Sequence, residues 1–312
     1  MNDPSAPRVD LAALVAPLSV AAFLRDHWET APALLRGSSE RALGIVSLAD
    51  IVRAMTGVET PAGKFMVDAE RIDPRAVPSA GYVATLGGAI PLGTEPIWAY
   101  LEAGNAIVWN GARGATPALD ALSASLARAL GARVWPNLYA TGPERAPFDM
   151  HFDSHEVLVL QIEGRKTWQI SGVRFDRPLD LPGMKSDVDA GMASMRGAAA
   201  EDIVLEATVE PGDVVYVPRG QFHNARAVGG RSLHVTFGVV PLSGLDVLEA
   251  LAEIGLRDPV FRAYFPPHAG DESGDGRRAA EERVASRIAE LLENGEVTRA
   301  LDAILARRIA TS

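Results

Sequence analysis

His151 and Asp153 stand one residue apart at the head of the stretch HFDSHEVLVLQIEGRKTW, residues 151–168. In an extended segment, alternation turns both side chains to one face, so an imidazole and a carboxylate can point at one ion. A third donor, His223, lies in EPGDVVYVPRGQFHNA, where Gly212–Asp213 and Pro218–Gly220 read as turns around a short strand. Those turns deliver His223 onto the next strand. Two histidines and one carboxylate form the set that leaves three positions open on non-haem iron(II). The His-x-Asp pair by itself leaves zinc, iron and no metal all open. The chain has no cysteine, which removes thiolate zinc sites, iron–sulfur clusters and disulfides. Any metal is left to His, Asp, Glu or carbonyl oxygen.

Lys166 adds a charge to the same stretch. On the strand beginning there it shares a face with Trp168 and Ile170, and an ammonium turned into an apolar interior needs an anion to offset its desolvation. A dicarboxylic acid chelating a metal at one end would bring that anion at the other. Two further polar trios alternate on strands, Asn137, Tyr139 and Thr141 on one and Ser232, His234 and Thr236 on another, so each can line one pocket. His155 reads as a rim residue. His27 and His268 read as structural.

These groups need a scaffold, and the texture of the chain supplies a mainly β one with added helices. Asp10 and Ser19 sit at N-cap positions before helical spacing in residues 11–30. A short strand follows at Ala33–Leu35, then a capped helix over Ser47–Met55 with Ile51 and Met55 on one face. From Lys64 onward short Val-, Ile-, Tyr- and Trp-rich runs alternate with Gly, Pro and Asp, the pattern of a barrel or sandwich. One helix interrupts them, from Thr116–Pro117 to Leu130, with Leu119, Leu122, Leu126 and Leu130 as its stripe. Strands are predicted at Val134–Thr141, Val157–Glu163, Lys166–Ser171, Ile203–Val209, Asp213–Val217 and Ser232–Val240. Residues 183–202, GMKSDVDAGMASMRGAAAED, break the rhythm with small residues and read as a surface loop or, failing that, a lid. After Pro241 the pattern is helical, with Leu245, Leu248, Leu251 and Ala252 on one face. A final helix or pair follows over Arg277–Ile309, with Val284, Ile288, Leu291 and Leu292 spaced for packing. The domains expected are residues 1–241 as an antiparallel barrel with N-terminal helices and 242–312 as a helical, dimer-forming segment.

Composition narrows the partners. The 312 residues carry 40 acidic against 30 basic side chains, a net charge of -10. That balance disfavours DNA and suits a cationic partner. The apolar run Leu11–Leu24 is preceded by Asp3, Arg8 and Asp10 and broken by Pro17, which is unlike a signal peptide, and it is too short to span a bilayer. The expectation is a cytoplasmic protein without a membrane segment.

The pieces FLRDHWETAPALLRG, NLYAT, HFDSHEVLVLQIEGRKTW, PGDVVYVPRGQFH and SLHVTFGV, spread from Phe23 to Val240, together resemble the JmjC-type, cupin-fold 2-oxoglutarate oxygenases, especially their ribosomal-oxygenase and asparaginyl-hydroxylase branches. The resemblance implies a double-stranded β-helix, a jelly-roll barrel. It implies that His151, Asp153 and His223 bind Fe(II) as the catalytic metal centre, and that Lys166 binds the carboxylate of 2-oxoglutarate, with Tyr139 and Thr236 touching the same cosubstrate and O2 as co-reactant. Some relatives place a hydroxyl three positions before the first ligand, where this chain has Phe148, so that contact comes from elsewhere. The activity implied is hydroxylation of an unactivated C–H bond, first of an amino-acid side chain in a protein or peptide. A free amino acid, a natural product or an RNA nucleoside would use the same core. The competing reading is a non-oxidative cupin, an isomerase or ligand-binding module; such cupins use His-x-His, and Asp153 stands where their second histidine would.

Overall fold

A computed structural model describes residues 9–56, 64–67, 70–71, 82–85, 88–91, 94–269 and 271–310. The chain forms two compact units, Met1–Ala129 with Val134–Val240, and Leu130–Arg133 with Pro241–Ser312. Asp3 and Arg8 of the leader and the side chain of Met55 lie outside the described residues.

The larger unit opens with helices α1 (Leu11–Val15) and α2 (Val20–Asp26). Asp10 Oδ1 accepts from the Ala13 amide at 2.9 Å and Ser19 Oγ from the Ala22 amide at 3.1 Å, so both N-caps satisfy helix-end donors as their residue types predict. Strand β1 (Ala33–Leu35), helix α3 (Leu48–Thr56), strands β2 (Lys64–Val67), β3 (Glu70–Arg71), β4 (Tyr82–Thr85) and β5 (Gly88–Pro91), helix α4 (Thr94–Glu102), strand β6 (Ala106–Asn110) and helix α5 (Pro117–Leu130) follow. Then come β7 (Ala132–Thr141), β8 (Glu156–Glu163), β9 (Lys166–Arg174), helix α6 (Lys185–Glu201), β10 (Ile203–Val209), β11 (Val214–Val217), β12 (Gln221–Ala227) and β13 (Ser232–Pro241).

Two sheets carry the site. The larger runs β1-β11-β8-β13-β7-β6-β2-β3 and the smaller β10-β9-β12, with β4-β5 a separate pair. The pairings are antiparallel throughout the described strands, the jelly-roll arrangement expected. Val157 and Val159 of β8 and Val215 and Val217 of β11 meet Trp168 and Ile170 of β9 and Val209 of β10 in one buried cluster. Its β-branched members fit the pleated surface, and each fully buried side chain contributes roughly 1.5–3 kcal/mol. Lys166, Trp168 and Ile170 are buried while Thr167 and Gln169 between them are half-exposed, so strand alternation carries Lys166 inward with the core residues. Gly164, between β8 and β9, has φ +63°, and a Cβ there would lie 2.0 Å from the Arg231 carbonyl oxygen. Only glycine fits that turn between the sheets.

The structure corrects two expectations. Residues 183–202 are not a loop: most of the stretch is α6, whose Val188, Met192, Met195 and Ala199 pack with Met150, Phe152 and Phe222. Those four positions have helical spacing, and the alanines around them favour a helix. The small residues that suggested a loop are where the helix sits close: a Cβ on the buried Gly191 would lie 2.3 Å from the Phe175 ring.

The smaller unit holds α7 (Gly244–Gly255), α8 (Pro259–Arg262), α9 (Asp275–Glu293) and α10 (Glu296–Ala310). Here the expected face of α7 is split: Leu245 at 46% and Leu248 at 60% exposure turn outward with Ala252, while Leu251 packs inward. Ala250, Leu291, Val297 and Ile304 form the core instead, with Val247, Leu251 and Ile254 against it. Helix α7 is apolar on more than one side, so spacing alone does not choose the buried one. Val284 and Ile288 are half-buried and Leu291 is buried as the spacing suggests, but Leu292 stays exposed.

Candidate metal centre and acid pocket

His151 lies on the extended segment between β7 and β8, and its backbone pairs with that of His223 on β12. The His151 amide donates to the His223 carbonyl at 3.0 Å, and the His223 amide donates to the His151 carbonyl at 2.7 Å. This two-way pairing sets the imidazoles side by side, with ring centroids 4.5 Å apart. Asp153 is held by the turn before His223, whose Gly220 amide donates to the Asp153 carbonyl at 2.8 Å. Gly220 has φ +78°, and a Cβ there would lie 1.9 Å from the Phe175 carbonyl oxygen. The PRG sequence is thus a backbone device that places both a carboxylate and an imidazole.

One donor atom from each of His151, Asp153 and His223 lies within 4.8 Å of the others. His223 Nε2 is 3.5 Å from Asp153 Oδ2. His151 Nδ1 sits 2.8 Å from the Asp149 carbonyl and His223 Nδ1 2.9 Å from the Gln221 carbonyl. A carbonyl only accepts, so each Nδ1 carries the proton and each Nε2 keeps its lone pair for an ion. Burial, and then the neighbouring His223, pushes the His151 pKa down to about 4, so the ring is neutral near pH 7. Burial opposes ionisation of Asp153, but the hydrogen bond to His223 and the nearby imidazoles hold its carboxyl well below the usual range. Two imidazoles and one carboxylate, with no sulfur, fit a divalent iron.

The same pocket is lined by Tyr139, Pro147, Phe148, Val157, Lys166, Trp168, Ala225, His234 and Thr236 besides the three donors. Lys166 is fully buried. Its Nζ donates to Thr141 Oγ1 at 2.8 Å and lies 5.9 Å from the centre of the Tyr139 ring. Burial alone pushes its pKa down to about 7, and no carboxylate among the described residues offsets it. A carboxylate entering the pocket would. Burial, followed by the charge of Asp153, keeps the Tyr139 hydroxyl protonated, with the Asn137 side chain hydrogen-bonded to it.

The structure separates the other predicted residues. Asn137 does not line the pocket; its Oδ1 accepts from the Gly111 amide at 2.8 Å, and its bond to Tyr139 makes it a support. Thr236 and His234 line the pocket, whereas Ser232 lies elsewhere, accepting from Gln161 Nε2 at 2.8 Å. His155 stands beside the centre, its Nε2 4.0 Å from Asp153 Oδ1 and its ring edge-on to Trp135. His27 packs on Phe23 and His268 is exposed. Pro147, Val157 and Ala225 are wall residues that motif reasoning passed over, although Ala225 shares the His223 face of β12 by simple alternation. Asp213 of the PGD turn is structural: it accepts from Arg36 Nη1, the Gly37 amide and the Glu210 amide.

Residues 114–246 match the JmjC domain family. Over 311 residues the chain is 26% identical to the bifunctional lysine-specific demethylase and histidyl-hydroxylase NO66 of Drosophila persimilis, covering 94% of this chain and 42% of that protein. It is 28% identical to ribosomal oxygenase 1 of Gallus gallus over 93% of this chain and 48% of that one. The chain therefore spans about half or less of the length of these curated relatives. Among solved structures, the ribosomal oxygenase YcfD of Escherichia coli in complex with cobalt and 2-oxoglutarate superposes with a TM-score of 0.53 at 15% identity, over 87% of this chain and 67% of that one. A second YcfD structure gives 0.56 at 13% identity, over 93% and 72%. Residues 114–246 are therefore similar to the JmjC domain family, and the antiparallel sheets around the shared core follow the fold of the YcfD structures.

Proposed function

We propose that the protein is an Fe(II)- and 2-oxoglutarate-dependent oxygenase that hydroxylates an unactivated C–H bond of an amino-acid side chain in a protein or peptide. One observation carries this reading: the His151–Asp153–His223 donor set and the acid-free, buried Lys166 line a single pocket. The histidyl-hydroxylase and ribosomal-oxygenase relatives support it, as does the acidic net charge of -10, which favours a basic segment as partner.

When bound, iron(II), 2-oxoglutarate and O2 supply an oxidation that leaves one oxygen atom on the substrate carbon and the other in succinate, with release of carbon dioxide. The protein contributes position and exclusion. His151, Asp153 and His223 hold the metal on one side, with both imidazoles locked in one tautomer. Lys166 takes the far carboxylate of 2-oxoglutarate, and the Tyr139 and Thr236 hydroxyls donate alongside it. Trp168, Val157 and Ala225 wall the pocket against water. Phe148, tilted over His151 at 5.6 Å between ring centres, fills the position where a hydroxyl contact is missing.

The test is succinate formation with mass spectrometry for a gain of one oxygen on candidate basic peptides. Asp153→Ala should reduce succinate to the metal-free background; iron-dependent turnover in that variant would overturn the donor set. Residues 1–241 form the oxygenase domain in this reading, and 242–312 a segment that pairs with a second copy. No described helix is long and apolar enough to cross a membrane, and the lack of cysteine is in keeping with a cytoplasmic setting.

A further inference from the structure

One pocket residue has no part in the chemistry above. His234, on β13, is 3% exposed and lines the pocket with Lys166 and Thr236. Its ring is fixed on two sides: Tyr139 stacks on it with centroids 4.6 Å apart and planes 13° apart, and Trp168 meets it at 5.6 Å and 65°. Nδ1 is enclosed and has no hydrogen-bond partner among the described residues. A histidine kept only to fill space would have its nitrogens satisfied by the protein, since a buried unpaired polar atom is costly. A phenylalanine would stack on Tyr139 equally well without that cost. Burial, with the Lys166 charge second, pushes the imidazole pKa well below its ordinary value, so the ring is neutral and offers one N–H and one lone pair.

We infer that His234 is a binding residue of the acid end, giving the distal carboxylate of a dicarboxylic cosubstrate a hydrogen bond beside its ion pair with Lys166. The chemistry suits the place. A carboxylate has room for several donors, and a neutral imidazole adds one without burying a second positive charge next to Lys166. The inference rests on the reading of this pocket as a 2-oxoglutarate site.

The experiment is calorimetric titration of the full chain, loaded with Mn(II), with 2-oxoglutarate and with pyruvate. The two acids share the chelating end, and only the first has a distal carboxylate. His234→Phe, which keeps the stack and removes both nitrogens, should weaken 2-oxoglutarate about tenfold, a change of ~1.4 kcal/mol, and leave pyruvate and Mn(II) affinities unchanged. His234→Asn should recover part of the loss. An unchanged preference for 2-oxoglutarate over pyruvate in His234→Phe, or an equal loss for both acids, overturns the role of His234. If the wild type shows no preference and Lys166→Met alters nothing, the cosubstrate reading itself falls; if Lys166→Met abolishes the preference and His234→Phe does not, only His234 falls. Should the Phe variant not fold, ring-15N spectra of the zinc-loaded wild type decide. They should hold a histidine that responds to 2-oxoglutarate and not to pyruvate, and its absence overturns the proposal.

Discussion

Lys166 is the residue at which the free energy of the fold and that of the site meet. Its pKa is pushed down to about 7 by burial, against about 10.4 in an unfolded chain. Between those values the unfolded state binds the extra proton, so stability rises with pH across that window and the burial penalty is fully present below about pH 7. Denaturant midpoints of the ligand-free protein should climb from pH 7 to pH 9 by more than those of Lys166→Met, and parallel profiles would contradict the assignment. A carboxylate arriving beside Nζ reverses the balance and favours the ammonium, so 2-oxoglutarate binding at pH 8 should take up a proton, seen as a dependence of the calorimetric heat on buffer. The residue types at the metal centre were legible in the chain because alternation in an extended segment fixes which side chains share a face. The role of Asn137 was not, since the same alternation cannot tell a wall residue from one that bends away to hold the Gly111 amide.

At the scale of elements, α6 supports the centre from behind. Phe175 stacks on Phe152 at 5.1 Å, and Phe152 meets Phe222 edge-on at 5.0 Å. Phe152 lies between His151 and Asp153 in the chain, and Phe222 adjoins His223. Gly191 on α6 touches the outer ring of this stack. Gly191→Ala would favour an isolated helix by up to ~1 kcal/mol, but its methyl would enter the Phe175 ring, and overpacking of a core costs about 1–3 kcal/mol. The expected sign is therefore destabilising, with weaker Mn(II) binding measured by electron paramagnetic resonance. A more stable variant with unchanged metal affinity would show that α6 does not position the ligands. This helix is hard to see in the sequence because its fully buried positions are Gly191 and Ala199, and the helical spacing of Val188, Met192 and Met195 is diluted by the small residues between them. The strands, by contrast, announced themselves through β-branched runs between turn residues.

At the scale of the whole molecule, the smaller unit presents Leu245, Leu248, Leu256 and Leu292 to solvent, each from 46% to 75% exposed. Pairing through this unit predicts that sedimentation will find a dimer, and that Leu245→Glu with Leu248→Glu will shift it to monomer with succinate formation retained; a monomeric wild type would refute it. The larger unit separates what must stay fixed from what is free to change. Both candidate ligand imidazoles carry their proton on Nδ1, which donates to a backbone carbonyl two residues back, at Asp149 and Gln221. A carbonyl is present whatever side chain stands there, and the Asp149 side chain is 90% exposed. Substitutions at position 149 can therefore recast the charge and shape of the rim, while the nitrogen left open for an ion stays the same: the geometry of the candidate centre is inherited through the main chain.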